Sequence, residues 1–276
     1  MPDYLRPAGL EEALAALAKP HTVLAGGTDF YPARVGRTID EDVLDITGIA
    51  GLGGIAATAS GWRIGATTRW SEVIDADLPP LFDGLKRAAR DVGGRQIQNA
   101  GTVAGNLCNA SPAADGVPPL LALDAEVEIA SRRGLRRIAL GAFITGNRRT
   151  VLAPDELVVA VHVPRPACAA RSAFVKLGAR RYLVISIAMA AATLEIETGR
   201  IVAARVAVGA CSAVARRLPA LERDLGGAAV DRALIERVEP DHLTPLAPID
   251  DVRGSAAYRQ DAVLTLLRRL LLEFVP

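Results

Sequence analysis

The sequence predicts an α+β protein, and three features of the 276-residue chain lead there. Short apolar strands and helical segments are interspersed as far as Val163. Pro164-Arg165-Pro166 then interrupts both, since closely spaced prolines resist helix and sheet alike. Beyond it three strand patterns come first and helices follow, an order that belongs to α+β rather than to a doubly wound sheet.

Taken in order, Leu10, Ala13, Leu14 and Leu17 fall on one helical face, and Pro20 closes that segment. Thr22 to Ala25 reads as a strand running into Gly26-Gly27-Thr28-Asp29, and Val43 to Ile46 as a second strand. Gly48 to Gly61 is rich in glycine and alanine and has no helical face. Trp62 to Thr67 alternates as a strand does. Leu81, Leu85, Ala88, Ala89 and Val92 make one side of a helix over 81–92. Glu126 to Ala130 and Leu157 to Val163 are further strands. After the prolines, Phe174–Leu177, Ile185–Ile196 and Ile201–Cys211 are the three strands, the last two joined at Glu197-Thr198-Gly199-Arg200 as a hairpin. Helices are expected over Val214–Leu225, Ala229–Val238 and Ala256–Phe274. The last carries an apolar stripe of Val263, Leu266, Leu267, Leu270, Leu271 and Phe274.

Composition narrows the function classes. With 32 basic and 31 acidic residues the net charge is +1, which argues against nucleic acid and anionic membranes as partners. Only Lys19, Lys86 and Lys176 are lysines, a bias that accompanies the many alanines and reflects base composition. Cys108, Cys168 and Cys211 are too few and too scattered for a disulfide framework, an iron–sulfur cluster or a structural zinc. No basic segment leads into an apolar run at the N-terminus. The longest uncharged apolar run, Leu183 to Leu194, is too short for a transmembrane segment. The expectation is a soluble protein of a reducing compartment, the cytoplasm.

Three glycine-rich sites remain. Gly51-Leu52-Gly53-Gly54-Ile55-Ala56 has the spacing of a dinucleotide fingerprint, but that motif needs a helix at its end, and Ala57-Thr58-Ala59-Ser60-Gly61 offers none. Ala25-Gly26-Gly27-Thr28-Asp29 directly follows a strand. Its double glycine lets successive N–H groups converge on a phosphate oxygen, although an ordinary tight turn uses the same residues. The third site runs from Arg95 through Gly101-Thr102-Val103-Ala104-Gly105-Asn106 to Asn109-Ala110-Ser111-Pro112-Ala113-Ala114-Asp115. It is small, hydrogen-bonding and almost uncharged before Asp115. Both a chain folded around a polar ligand and a self-satisfied turn cluster have that composition.

The first loop together with the third site resembles the FAD-binding medium subunit of molybdenum hydroxylases, the xanthine dehydrogenase and carbon monoxide dehydrogenase family. Phe174-Val175-Lys176-Leu177 resembles the start of that family's C-terminal domain, and Asp250-Asp251-Val252-Arg253-Gly254-Ser255 with Tyr258-Arg259 its closing segment. The resemblance spans nearly the whole chain. It implies a two-lobed FAD-binding domain of the PCMH type over residues 1–165, with lobes of about 1–55 and 56–165. A small C-terminal domain with an antiparallel sheet and helices would follow over 170–276.

By motif position the resemblance places Leu24, Ala25, Gly26, Gly27, Thr28 and Asp29 on the FAD pyrophosphate and ribityl chain, with Phe30 near the flavin. Thr102, Gly105, Asn106, Asn109 and Asp115 form a second loop, and Val92 and Gly93 lead into it. Leu157 and Val158 match a strand beside the adenine, and Lys176 a lysine near the cofactor. Two positions depart from the family pattern. Ala104 stands where a first glycine is usual, which requires an ordinary backbone there. Leu183-Val184 stands where the family often places an Asp, which leaves Tyr182 as the candidate cover for one flavin face.

The implied activity is electron relay, with no catalytic side chain. FAD would collect electrons from [2Fe–2S] clusters in a small partner subunit, fed by a molybdenum cofactor in a large one, and pass them to NAD or another acceptor. His21, His162 and His242 are isolated and read as structural or surface residues, and Cys108 within the second loop as a packed small residue, with contact to FAD as the alternative. Two other readings compete: a self-contained FAD-dependent oxidoreductase of the same fold, and a non-catalytic nucleotide- or partner-binding protein. The first would need a substrate-binding cap, and the residues after Pro166 carry no recognisable acid/base pair.

Overall fold

The computed structural model describes residues 2–276. Three sheets, each with its own core, succeed one another along the chain, and the α+β expectation holds. The first is a small parallel sheet in the order β1-β3-β2, from β1 (Tyr4–Leu5), β2 (Thr22–Leu24) and β3 (Val43–Asp45), with α1 (Leu10–Ala16) between its first two strands. Ala13, Leu14 and Leu17 of the anticipated helical face pack on Leu44, Ile46 and Ile49. Asp45 ends β3 and fixes the chain beyond it: its Oδ1 accepts from Thr47 N at 2.8 Å, and its Oδ2 from the Tyr4 hydroxyl at 2.5 Å. Burial works to raise the Asp45 pKa, but these hydrogen bonds and nearby Arg6 outweigh it and hold the carboxyl below the usual carboxylate range.

The second sheet has the order β4-β5-β10-β6-β7 and is antiparallel throughout. Its strands are β4 (Ile55–Thr58), β5 (Gly61–Gly65), β6 (Glu126–Ser131), β7 (Gly134–Ala139) and β10 (Leu157–Pro164). Between β5 and β6 the chain makes five helices: α2 (Trp70–Asp75), α3 (Asp83–Asp91), α4 (Arg95–Ala100), α5 (Val103–Asn109) and α6 (Val117–Ala122). Short α7 (Leu140–Phe143) and the two-stranded β8 (Ile144–Gly146) and β9 (Arg149–Thr150) separate β7 from β10. The glycine-alanine stretch thus yields an edge strand, β4, because alternate small side chains suffice on a strand largely open to solvent. No helix follows Gly51-Leu52-Gly53-Gly54, which turns into β4 instead.

The third sheet, β11-β12-β13-β14, is built from β11 (Ala170–Leu177), β12 (Ala188–Glu197), β13 (Arg200–Gly209) and β14 (Arg216–Arg217). The anticipated hairpin closes at Thr198 and Gly199, both with positive φ, between the paired Glu197 and Arg200. Strand β12 is apolar on both faces because both are covered. Ala188, Ala190, Ala192 and Leu194 meet α8 (Pro219–Leu225) and the stripe of α9 (Ala256–Leu272), whereas Met189 and Ala191 meet Ala88 of α3 and Ala122 of α6. The helix expected over 214–225 starts only at Pro219, since Arg216 and Arg217 pair with β13 first. Residues 229–238 form a short 3-10 turn over Arg232–Arg237, capped by Asp231, rather than an α-helix.

Candidate functional site

Between the first two sheets lies a cavity of about 510 Å³, lined from one side by Thr22 to Phe30 and from the other by residues of α5 and β10. Leu24, Ala25, Gly26, Gly27, Thr28, Asp29 and Phe30 all line it. So do Thr102, Gly105, Asn106 and Asn109, with Val92, Leu157 and Val158. Gly93, Asp115 and Lys176 do not.

The local sequence explains the first wall. Strand β2 ends at Leu24, and the chain turns at Gly27 with φ +71°, a conformation that L side chains rarely adopt. Gly26 abuts the corner between α4 and α5: a Cβ there would stand 2.0 Å from the Ala100 carbonyl oxygen. Among the described residues, the N–H groups of Gly26, Gly27, Thr28, Asp29 and Phe30 find no acceptor within the chain. Five consecutive donors without partners, on a loop lining a cavity, leave backbone N–H groups available to an anionic oxygen.

The second wall is helical, where the sequence suggested a loop. Thr102 caps α5, its hydroxyl accepting from Gly105 N at 3.0 Å, and Val103 N donates to Thr68 O at 2.9 Å. Ala104 lies within α5, outside the positive-φ residues, so the missing glycine costs no backbone strain. Asn106 Oδ1 is shut from solvent beside Gly116 and has no donor within the chain. Cys108 is exposed and lines the cavity, contrary to the packed role expected of it, because the last turn of α5 carries it there.

Four lining side chains are charged, and all are paired. Arg34 donates to Glu41 at 2.6 Å and to Phe30 O at 2.8 Å, with its guanidinium 3.8 Å from the Phe30 ring centre. Glu156 accepts from Arg136 at 2.7 Å and from Ala153 N at 3.0 Å; the Arg136 hydrogen bond leads in holding its carboxyl below the usual range. Asp29 accepts from Asn109 Nδ2 at 2.8 Å and from Arg148 at 3.4 Å. Neither Arg148, on the turn between β8 and β9, nor Trp70, buried behind the second wall, was singled out from the sequence. Arg148 is one of a pair of adjacent arginines in a polar turn, with no spacing that marks it. Trp70 carries no sequence signal either: Glu72 accepts from Arg69 N at 2.8 Å where α2 starts, but arginine is not a capping residue that would mark the helix in the sequence.

Asp115 and Lys176 pair with each other at 2.7 Å in the interior, where β11 meets the second lobe. Ser186 donates to the other carboxylate oxygen at 2.6 Å, and Lys176 also donates to Asp91 O at 3.2 Å. Burial pushes the Asp115 carboxyl up, against the pull of Lys176. Tyr182 is exposed and lies outside the cavity, while neighbouring Leu183 rests against Gly94. His162 bonds Glu128 at 2.9 Å and buried His242 bonds Asp224 at 2.8 Å, both away from the cavity.

The lining suits a dinucleotide: unpartnered backbone donors for a pyrophosphate, and apolar Leu157 and Val158. The model of the FAD binding domain in molybdopterin dehydrogenase matches residues 1–166, and that of the CO dehydrogenase flavoprotein C-terminal domain matches 173–274. A xanthine dehydrogenase FAD-binding subunit from Escherichia coli O157:H7 is 31% identical over 280 residues, covering 99% of this chain and 96% of that one. Among solved structures, CO dehydrogenase from Oligotropha carboxidovorans superposes with a TM-score of 0.89 at 27% identity, over 99% of this chain and 97% of that one. Quinoline 2-oxidoreductase from Pseudomonas putida 86 gives 0.88 at 27%, over 99% and 96%. The chain therefore belongs to the FAD-binding medium subunits of the xanthine dehydrogenase and carbon monoxide dehydrogenase family, an oxidoreductase component.

Proposed function

We propose that this chain is the electron-transfer flavoprotein of a multi-subunit molybdenum hydroxylase working in the cytoplasm. The observation that carries the reading is the row of unpartnered amides from Gly26 to Phe30 on one wall of the cavity, opposite α5. The backbone from Leu24 to Asp29 would hold the pyrophosphate and ribityl chain with Thr102, Gly105, Asn106 and Asn109, with Phe30 near the flavin. Leu157 and Val158 would flank the adenine, while Val92 and Gly93 form the approach. Asp115 and Lys176 would act from behind the cavity, by fixing the C-terminal domain (170–276) on the two-lobed domain (1–165). The chemistry supplied by bound FAD is relay of electrons from [2Fe–2S] clusters of a small subunit to NAD or another acceptor. The large subunit would carry the molybdenum cofactor.

No helix among the described residues is long and apolar enough to cross a membrane. Purifying the tagged chain from its native cells tests the assembly. A large molybdenum-containing chain and a small iron-containing one should co-purify with it. A monomer active by itself, with neither partner, would contradict the relay and favour a self-contained flavin oxidoreductase.

A further inference from the structure

The first loop carries a carboxylate, Asp29, at the edge of a cavity proposed for a dianionic ligand, and on electrostatic grounds it does not belong there. Its surroundings resolve the conflict. Asp29 Oδ1 faces Arg148 at 3.4 Å, Asp29 Oδ2 accepts from Asn109 Nδ2 at 2.8 Å, and the Arg148 guanidinium donates to Asn109 Oδ1. The three side chains close a cycle that joins the first lobe's loop, the end of α5 and the turn between β8 and β9.

Arg148 is held for this position. Its backbone has φ +54°, and its N–H donates at 2.9 Å to the carbonyl of Ala110, the left-handed residue that ends α5. The other basic residue lining the cavity, Arg34, is already engaged by Glu41 and the Phe30 carbonyl.

We infer that Arg148 is a positioning residue for the cofactor: it neutralises Asp29 across the cavity mouth and ties the two lobes together there. This rests on the FAD-binding reading above. The cluster as built carries no net charge towards the ligand. Without Arg148 the mouth presents an uncompensated carboxylate to a doubly anionic pyrophosphate. With both charges removed it is neutral again.

The test is FAD affinity of the full-length chain, followed by flavin fluorescence, for wild type, Arg148→Gln and the double variant Asp29→Asn/Arg148→Gln. Each is measured at about 0.01 M salt, where charges act over about 30 Å, and at about 1 M, where they act over about 3 Å. Arg148→Gln should bind about tenfold more weakly at low salt, and the difference should fall below about twofold at high salt. The double variant should return to within about twofold of wild type at low salt. Arg148 is exposed, so its replacement leaves the cores untouched. Wild-type affinity in Arg148→Gln, a salt-independent loss, or a double variant as weak as the single one would each overturn the inference while leaving the flavin site standing. A wild-type chain that binds no FAD would instead overturn the flavin reading, and the inference with it.

Discussion

At Gly27 a single backbone angle decides whether the first wall can form. Its φ of +71° lets the chain leave β2 and present consecutive N–H groups within one turn. A Cβ added there would stand 2.6 Å from the Tyr31 ring rather than in open cavity, so a larger residue displaces the loop itself. Gly27→Val should weaken FAD binding at least about tenfold, the equivalent of about 1–3 kcal/mol of backbone strain, with an unchanged far-UV spectrum. Retained FAD affinity in the folded variant would remove this loop from the site. The double glycine was legible because only that residue type suits the turn. Arg148 was not, because its role comes from Asp29 and Asn109, distant in sequence and brought together only by the fold.

At the scale of elements, strands were read more faithfully than short helices. Leu157–Val163 and the β12–β13 hairpin carry long apolar runs and a two-residue turn, and both form close to their expected bounds. Helix α5 was hard to see because glycine and asparagine interrupt Gly101 to Asn109 and its apolar face, Val103, Ala104 and Leu107, spans little more than one turn. It exists because Thr102 caps it, Thr68 takes the Val103 N–H, and Val103, Ala104 and Leu107 are buried. The signal available was a threonine at the cap position followed by small residues. Thr102→Ala should cost about 1 kcal/mol, lower the melting midpoint by about 2 °C and loosen the second wall. Scanning calorimetry checks this; an unchanged midpoint would show that burial alone holds α5.

For the whole molecule, the cavity lies between two sheets that differ in kind, one parallel and one antiparallel. The third sheet is fastened behind it through Met189, Ala191 and Phe174 against Ala88 and Ala122, through the Asp115–Lys176 pair, and through Arg205, which bonds Glu195 at 2.6 Å and the Ala122 carbonyl at 3.1 Å. Asp115 and Lys176 were named from motif position. Their pairing needed the fold, since 61 residues separate them. On the proposed reading, a dianion would be met by backbone dipoles and paired side chains, so a near-neutral composition needs no excess of lysine. The most direct measurement is titration of the purified, flavin-stripped chain with FAD, reading flavin absorbance and fluorescence after removal of free cofactor. One FAD retained per chain is the expected result; a folded chain that stays colourless would contradict the flavin site.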